Sequence, residues 1–221
     1  MYRLINGIEF LKSLPDKSVD GIFTDPPWGI RVSESSTGHR RPDAKIKGGS
    51  NWLELIKAMT DQGARILKEN GRCLIWLGTR HVGPVIKVVD ALEYRWMIFV
   101  RYMPPRYMAT LQSYVDPIIY FAPAGAPWPD KIGGKCKPQE YYKASTGKRD
   151  TKHPCARPFE RVLDILRDWF VPGEYVIDPF AGSDTTGVAC RKLGIEWDSC
   201  EIDPEMYSTG EYRHAQGNLF E

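Results

Sequence analysis

The chain has 221 residues, of which 42% are hydrophobic, enough for one globular domain with a sizeable core. Its 30 basic and 28 acidic residues leave a formal net charge of +2, which by itself favours no class of partner. No apolar stretch approaches the about 20 residues of a membrane helix, and the five scattered cysteines form no C-x-x-C pair, which argues against a disulfide framework or a zinc site. The N-terminus lacks the pattern of a signal peptide, so we expect a cytoplasmic protein with no metal and no membrane partner.

Strand and helix patterns alternate along most of the chain. In chain order, we predict a strand over 18–25, a helix over 51–71 that stops at Gly71, a strand over 72–78, a helix over 81–94, strands over 95–103 and 116–123, a helix over 157–173, a strand over 174–182, a helix over 185–194 and a strand over 195–203. This alternation predicts an α/β doubly wound sheet in a single domain over 1–221.

Two stretches interrupt the alternation. Residues 29–50 are polar and carry five basic residues, two acidic residues and a histidine. Residues 124–152 are rich in glycine, proline and lysine and include Trp128, Tyr141 and Tyr142. Basic residues interleaved with aromatic ones suit phosphate contacts and base stacking, although a solvated surface excursion explains the charge equally well.

Two predicted strands end in the same dipeptide, Asp-Pro, within "FTDPPW" and "VIDPFAGSDTTG". Proline fixes φ and cannot extend a strand ladder, so the chain turns away and the acid is expected to point into the crevice at the carboxyl edge. One such pair could be a structural stop, whereas two carboxylates at neighbouring strand ends favour a ligand site. Small residues before a predicted helix at Thr185 and Thr186 let backbone amides approach an anion, and Glu201 ends the next strand, where it could accept from ribose hydroxyls.

With these motifs the chain resembles the amino-methyltransferases that transfer a methyl group from S-adenosylmethionine to exocyclic amines of nucleic-acid bases. The order of motifs, "DPPW" first and "DPFAGSDTTG" last, is similar to the β class of bacterial and phage DNA methyltransferases, including restriction-modification enzymes. The resemblance extends over "INGIEFLKSLPDKSVDGIFTDPPWG" and over the block from Lys152 to "EIDPEMY". It implies a Rossmann-like doubly wound mixed sheet of the class I methyltransferase type with circularly permuted motif order. It also implies a mobile loop over 29–50 and a small target-recognition insertion over 124–150.

The resemblance assigns roles to individual positions. The predicted catalytic residues are Asp25, Pro26, Pro27 and Trp28. Cofactor contacts are predicted for Asn6, Lys152, His153, Asp178, Phe180, Ala181, Gly182, Ser183, Asp184, Thr185, Thr186, Glu201 and Asp203. DNA contacts are predicted for Arg31, Arg40, Arg41, Lys131, Lys135, Lys137 and Lys143.

The catalytic motif suits the chemistry of a weakly nucleophilic amine. Acceptors at the Asp25 carboxylate and the Pro26 carbonyl can orient the amino group, and the carboxylate stabilises the positive charge that reaches nitrogen. The prolines hold these oxygens in place, and Trp28 offers a flat face to a base flipped out of duplex DNA.

Several alternatives stay open at this point. Family members usually have Gly-Ser-Gly-Thr-Thr where this chain has Asp184 in the middle position, and a carboxylate there would either repel the cofactor's carboxylate or face its ammonium. A serine in place of Asp25 is commoner in cytosine-N4 enzymes, so Asp25 favours adenine N6. The rival functions are a cytosine-N4 DNA enzyme, an RNA adenine methyltransferase and a catalytically silent nucleic-acid-binding module, and a homodimer is left open.

Overall fold

A computed structural model describes residues 1–27, 52–107, 112–129, 139–145 and 157–216. Over these ranges eight strands form one sheet in the order β1-β8-β7-β2-β3-β5-β4-β6. The strands are β1 (Tyr2–Leu4), β2 (Val19–Thr24), β3 (Leu67–Trp76), β4 (Glu93–Tyr107), β5 (Gln112–Ala122), β6 (Tyr141–Ser145), β7 (Tyr175–Asp178) and β8 (Glu196–Glu201). The helices are α1 (Gly7–Ser13), α2 (Trp52–Ile66), α3 (Val82–Val88), α4 (Phe159–Trp169), α5 (Thr185–Leu193) and α6 (Pro204–Gln216), and a short 3₁₀ helix (Thr79–His81) precedes α3.

The sheet is mixed, and its strand order reverses at the centre. β5 runs antiparallel to β3 and β4, whereas the other neighbouring strands are parallel. From β2 the chain proceeds to β3 on one side, and from β7 it proceeds to β8 on the other, so the β2–β7 pair is the switch point at which open α/β sheets bind ligands. This architecture confirms the predicted doubly wound α/β fold.

Helices cover both faces of the sheet. Alternate residues of the central strands point to opposite sides and so contribute to two separate cores. Phe23 and Leu74 face one core, to which α4 and α5 contribute buried residues such as Leu166 and Cys190. Their neighbours Ile22 and Cys73 face the other core, which is closed by α1, α2 and α3. Strands buried on both faces are typical of sheets that carry helices on each side.

Some predicted boundaries are wrong. The helix predicted over 51–71 ends at Ile66, because Leu67 is buried and pairs with Val19 of β2. Lys68 then turns to the carboxylate of Asp20 at 2.8 Å, so tertiary pairing overrides the helical pattern of these residues. The helix predicted to run to residue 94 ends at Val88, and the one predicted to run to residue 173 ends at Trp169.

Helix α6 was not predicted, because its residues are mostly polar. Gly210 is its buried position, and there the helix lies directly on the ring of Tyr2. A helix with so narrow an apolar contact gives little hydrophobic periodicity to detect. Helix α6 lies against β1 and β8 and contacts the loop of the "DPFAGSDTTG" motif.

The two segments that interrupt the alternation are described only in part. Residues 29–50 lie outside the described residues. Within 124–150, β6 pairs in parallel with β4, so part of this segment is an edge strand of the sheet. Within the described ranges, no helix is both long and apolar enough to cross a membrane.

Candidate active site

The first predicted motif begins where β2 ends. Asp25 follows Thr24 at the carboxyl edge of the sheet, and 33% of its side chain is exposed. Pro26 is buried and Pro27 is exposed, so the chain leaves the sheet directly after the acid. The backbone is therefore fixed at the buried Pro26, while the neighbouring Asp25 carboxylate stays accessible to solvent. Trp28, the fourth predicted catalytic residue, lies outside the described residues.

Asp25 is held by a guanidinium that comes from far along the chain. Arg157, two residues before α4, donates from Nε to Oδ2 of Asp25 at 2.7 Å and from Nη2 to Oδ1 at 2.9 Å. Its Nη1 donates to Oδ2 of Asp116 at 2.7 Å, and Asp116 lies in β5 at the same edge of the sheet. The guanidinium carbon sits 4.8 Å from the ring centroid of Trp76, at the end of β3. Side chains from β3, from β5 and from the residue that follows β2 thus meet around one arginine.

The second motif places its acid inside the protein. Asp178 ends β7 and is 4% exposed. Its Oδ1 accepts from the hydroxyl of Thr24 at 2.7 Å and from the backbone N–H of Phe180 at 3.1 Å, while Oδ2 accepts from the hydroxyl of Thr186 at 2.6 Å. Burial raises the pKa of this carboxyl to about 7. The expectation that Asp178 points into the crevice is therefore wrong, because the acid instead ties the end of β2 to the start of α5.

The turn after Asp178 contains a short accessible stretch. Phe180, Ala181 and Gly182 are partly exposed, whereas Ser183, Asp184, Thr185 and Thr186 are buried. Gly182 has φ of +55°, in the left-handed region that side chains disfavour. The part of the loop that a ligand can touch is thus limited to residues 180–182.

Glu201 faces this turn from the neighbouring strand. Its Oε2 accepts from the N–H of Gly182 at 2.8 Å, and its Oε1 accepts from the N–H groups of Ile202 and Asp203 at 2.8 and 2.9 Å. The side chain is partly exposed, so lone pairs remain for a ligand hydroxyl. Ile202 beside it is 64% exposed and offers an apolar surface at the same edge.

Two further predicted residues act as helix caps along this edge. Asn6 caps α1, where its Oδ1 accepts from the N–H groups of Ile8 and Glu9. Gly7 brings this cap against the motif, because a Cβ at residue 7 would lie 2.4 Å from the carbonyl oxygen of Pro179. Asp203 accepts from backbone N–H groups in the first turn of α6. Neither polar side chain is buried.

The unusual Asp184 faces neither the crevice nor solvent. It is 0% exposed, has φ of +53° and caps α5 by accepting from the N–H of Gly187 at 3.0 Å. Its other oxygen lies 2.6 Å from Nε2 of His214 in α6. The His214 ring stacks on Trp197 with centroids 4.9 Å apart and an interplanar angle of 8°. Asp184 is thus accommodated by a partner on another helix and is kept away from any carboxylate bound at the loop.

Helix α6 also holds the same loop through Arg213, the residue before His214. Nη1 of Arg213 donates to the carbonyl oxygen of Ser183 at 2.9 Å and to the hydroxyl of Thr185 at 2.8 Å. Tyr2 of β1 donates its hydroxyl to the carbonyl oxygen of Gly182. Side chains from β1 and α6 therefore fix the conformation of the turn.

Most of the predicted DNA-contacting residues lie outside the described residues, namely Arg31, Arg40, Arg41, Lys131, Lys135 and Lys137. Two predicted cofactor residues, Lys152 and His153, also lie outside them. Lys143 is described and exposed on β6, in register with Arg101 of β4. Because β4 and β6 run parallel to β3, these two cations lie toward the edge that carries Asp25.

Sequence analysis missed Arg157, Asp116, His214 and Ile202. Arg157 could have been suspected, because it opens the helix predicted over 157–173, and a cation at a helix N-terminus is unfavourable unless a carboxylate lies beside it. Asp116 starts the strand predicted over 116–123, which the structure extends back to Gln112, and Ile202 stands directly after the predicted Glu201. His214 belongs to the helix that gave no periodic pattern, so no local signal identified it.

Comparison with known proteins gives a consistent family assignment. A family model labelled N6_N4_Mtase and described as "DNA methylase" matches residues 19–211. The type II methyltransferase M.HpaI of Haemophilus parainfluenzae is 23% identical over 239 residues, covering 96% of this chain and 73% of that protein.

Solved structures agree on the fold. The M1.HpyAVI–SAM complex superimposes with a TM-score of 0.71 at 22% identity, covering 96% of this chain and 98% of that one. The cytosine-N4-specific PvuII DNA methyltransferase gives a TM-score of 0.75 at 16% identity, covering 96% and 85%. The two likenesses extend over nearly the whole chain.

Proposed function

This chain belongs to the DNA methylase family of N6- and N4-amino-methyltransferases, and within that family we propose that it methylates the N6 amino group of adenine in duplex DNA. The observation that carries the proposal is the partly exposed carboxylate of Asp25 at the β2–β7 switch point. A formal negative charge beside the reacting amine stabilises the positive charge that nitrogen acquires as the new bond forms. The aspartate, where cytosine-N4 enzymes more commonly carry serine, favours adenine.

The cofactor of the family is S-adenosylmethionine, and the residues at the switch point suit it. When bound, it would supply an electrophilic methyl carbon to the amine nitrogen, and its sulfur would keep the electron pair of the broken carbon–sulfur bond. Glu201 and Asp203 give this edge a negative character that suits a cation with ribose hydroxyls, and Ile202 offers apolar surface. The partly exposed residues 180–182 allow a ligand to approach closely because Gly182 has no side chain.

The protein groups around the amine would act as acceptors and as a scaffold. An oxygen of Asp25 accepts one N–H of the amino group, and the carbonyl of Pro26 accepts the other. Both oxygens are preorganised because Pro26 is buried and Asp25 is tied to Arg157. After transfer the excess proton leaves nitrogen through the Asp25 carboxylate to solvent.

DNA binding would use the cations at the same edge. Arg101 of β4 and Lys143 of β6 lie toward the carboxyl edge, and the basic segments 29–50 and 124–152 flank the site in sequence. Such cations contact phosphates and position the duplex without reading its sequence. A base flipped toward Asp25 would stack on Trp28, and the reaction would take place in the cytoplasm.

Identification of the methylated nucleoside tests the proposal. DNA treated with the protein and isotopically labelled S-adenosylmethionine is digested to nucleosides, which are separated and identified by mass. Label in N6-methyladenine is the expected result. Label in N4-methylcytosine would instead support the cytosine function suggested by the similarity to the PvuII enzyme. Label in RNA only, or S-adenosylmethionine binding without transfer to any nucleic acid, would contradict the proposal.

A further inference from the structure

The cluster around Arg157 joins two acids and one cation at the end of β2. Asp25, Asp116 and Arg157 come from positions far apart in sequence: directly after β2, within β5 and two residues before α4. We propose that Arg157 and Asp116 position the Asp25 carboxylate for methyl transfer and set the charge that the target amine meets. This inference rests on the proposed function, since it assigns Asp25 to the reacting amine.

The first part of the argument concerns orientation. Nε and Nη2 of Arg157 each bind one oxygen of Asp25, at 2.7 and 2.9 Å, so the carboxylate cannot rotate without breaking both bonds. The guanidinium is itself held by Asp116 at 2.7 Å and lies over the ring of Trp76. Its side chain is 15% exposed and that of Asp116 is 8% exposed, so the support is largely screened from water.

The second part concerns access. Asp25 keeps 33% of its side chain exposed although both of its oxygens bind Arg157. Each carboxylate oxygen has more than one acceptor site, so an oxygen that binds Arg157 can still accept an amino hydrogen. Arg157 can therefore remain in place while a base binds, as a positioning residue that does not touch the base.

The third part concerns charge. A lone guanidinium beside Asp25 would offset its negative charge and oppose the positive charge that forms on the amine. Asp116 supplies a second carboxylate on the far side of the guanidinium, so the three residues together retain a formal charge of −1. Trp76 donates from Nε1 to the same oxygen of Asp116 at 3.4 Å and helps to fix it. The cluster thus combines a rigid acceptor with the sign that the transition state needs.

A second buried arginine provides a matched control. The guanidinium of Arg72 lies 4.7 Å from the ring centroid of Phe170, forms an ion pair with Glu174, and donates to the carbonyl oxygen of Trp169 at 2.9 Å. Glu174 precedes β7, so this cluster sits at the amino edge of the sheet, opposite Asp25. It shares the aromatic and ionic surroundings of Arg157 but does not contact the site.

The test compares Arg157→Lys with Arg72→Lys. Single-turnover methyl transfer is measured per folded molecule, together with thermal stability and calorimetric affinity for S-adenosylmethionine. Lysine keeps the charge but cannot hold both oxygens, so Arg157→Lys should slow transfer about 100-fold, as misplacement of a reacting group by about 1 Å does. Its cofactor affinity should be unchanged. Arg72→Lys should lower the melting temperature and leave the rate per folded molecule unchanged.

A second variant separates charge from structure. Asp116→Asn keeps an oxygen that can accept from Arg157 and Trp76 but removes the charge, so transfer should slow about tenfold, the order expected for one charge near a partly solvated site. A wild-type rate in both Arg157→Lys and Asp116→Asn would overturn the inference. The inference would also be overturned if the loss of methyl transfer in both arginine variants were fully explained by their unfolded fraction. Failure of the proposed function would appear separately, as absence of the expected nucleoside with the wild-type protein.

Discussion

Replacing His214 by alanine should destabilise the protein through Asp184, thirty residues away in sequence. In the structure Asp184 is 0% exposed, and Nε2 of His214 lies 2.6 Å from one of its oxygens. The variant would leave that oxygen buried without this partner. It would also remove the ring that stacks on Trp197.

The expected loss follows from these two contacts. A hydrogen bond to a charged group contributes about 1.5–3 kcal/mol, and an aromatic pair adds about 0.5–1.5 kcal/mol. A combined loss of about 3 kcal/mol should lower the melting temperature of a domain of this size by about 6–12 °C. The turn that Asp184 supports should also loosen, so affinity for S-adenosylmethionine should fall.

A double-mutant cycle tests whether Asp184 is the cause. Glycine tolerates the φ of +53° at this position, and Asp184→Gly leaves a partly exposed imidazole without this partner instead of a buried carboxylate, so it should cost less than His214→Ala despite the lost helix cap. In the combined Asp184→Gly, His214→Ala variant there is no buried carboxylate to leave unpaired, so part of the lost stability should return. Thermal unfolding of the four proteins gives the coupling energy. A double variant that melts no higher than His214→Ala would refute this reasoning.

Four further predictions concern the site. Asp25→Ala should abolish methyl transfer but leave calorimetric binding of S-adenosylmethionine intact, and normal turnover would remove the mechanism proposed above. Glu201→Gln should weaken cofactor binding, because it removes the charge that faces Gly182, and unchanged affinity would mean that the cofactor lies elsewhere. Burial raises the pKa of Asp178 to about 7 from 3.8, so the folded state retains a proton that the unfolded chain releases. The free energy of unfolding should therefore fall as pH rises from about 4 to about 7, and Asp178→Asn should flatten that fall in urea titrations. Trp28→Ala should reduce turnover more than DNA binding, since a stacked base loses about 1–3 kcal/mol, whereas Trp28→Phe should retain activity; normal turnover per folded molecule in the alanine variant would contradict this.

The parts of the site that sequence could predict are those fixed by local chemistry. An Asp-Pro pair at the end of an apolar run marks the exit from a strand, and both such exits lie at the predicted edge, side by side in β2 and β7. The sequence also marks Asp184 as a departure from the family pattern, and the structure shows that it caps α5 with a positive φ.

What sequence could not predict depends on contacts between distant segments. The inward orientation of Asp178 requires the hydroxyl of Thr24 to lie beside it, which follows from the β2–β7 pairing and not from either motif. Arg157 reaches Asp25 only because α4 begins over the same edge of the sheet. His214 meets Asp184 only because the polar helix α6 packs against β8 and the loop, and its sequence pattern did not predict that packing.

The hydrogen bonds of Asp178 link events at the two halves of the site. One oxygen binds Thr24, the residue before Asp25, and the other binds Thr186 in the first turn of α5. A ligand that shifts or stiffens the turn at residues 180–182 therefore acts on the end of β2 through a single buried carboxyl group. We expect cofactor and target base to bind cooperatively, and thermodynamic reciprocity requires the base to tighten the cofactor by the same factor. Weakening the contact of Asp178 with either threonine should then reduce this cooperativity more than it reduces the separate affinities for the cofactor and for the base.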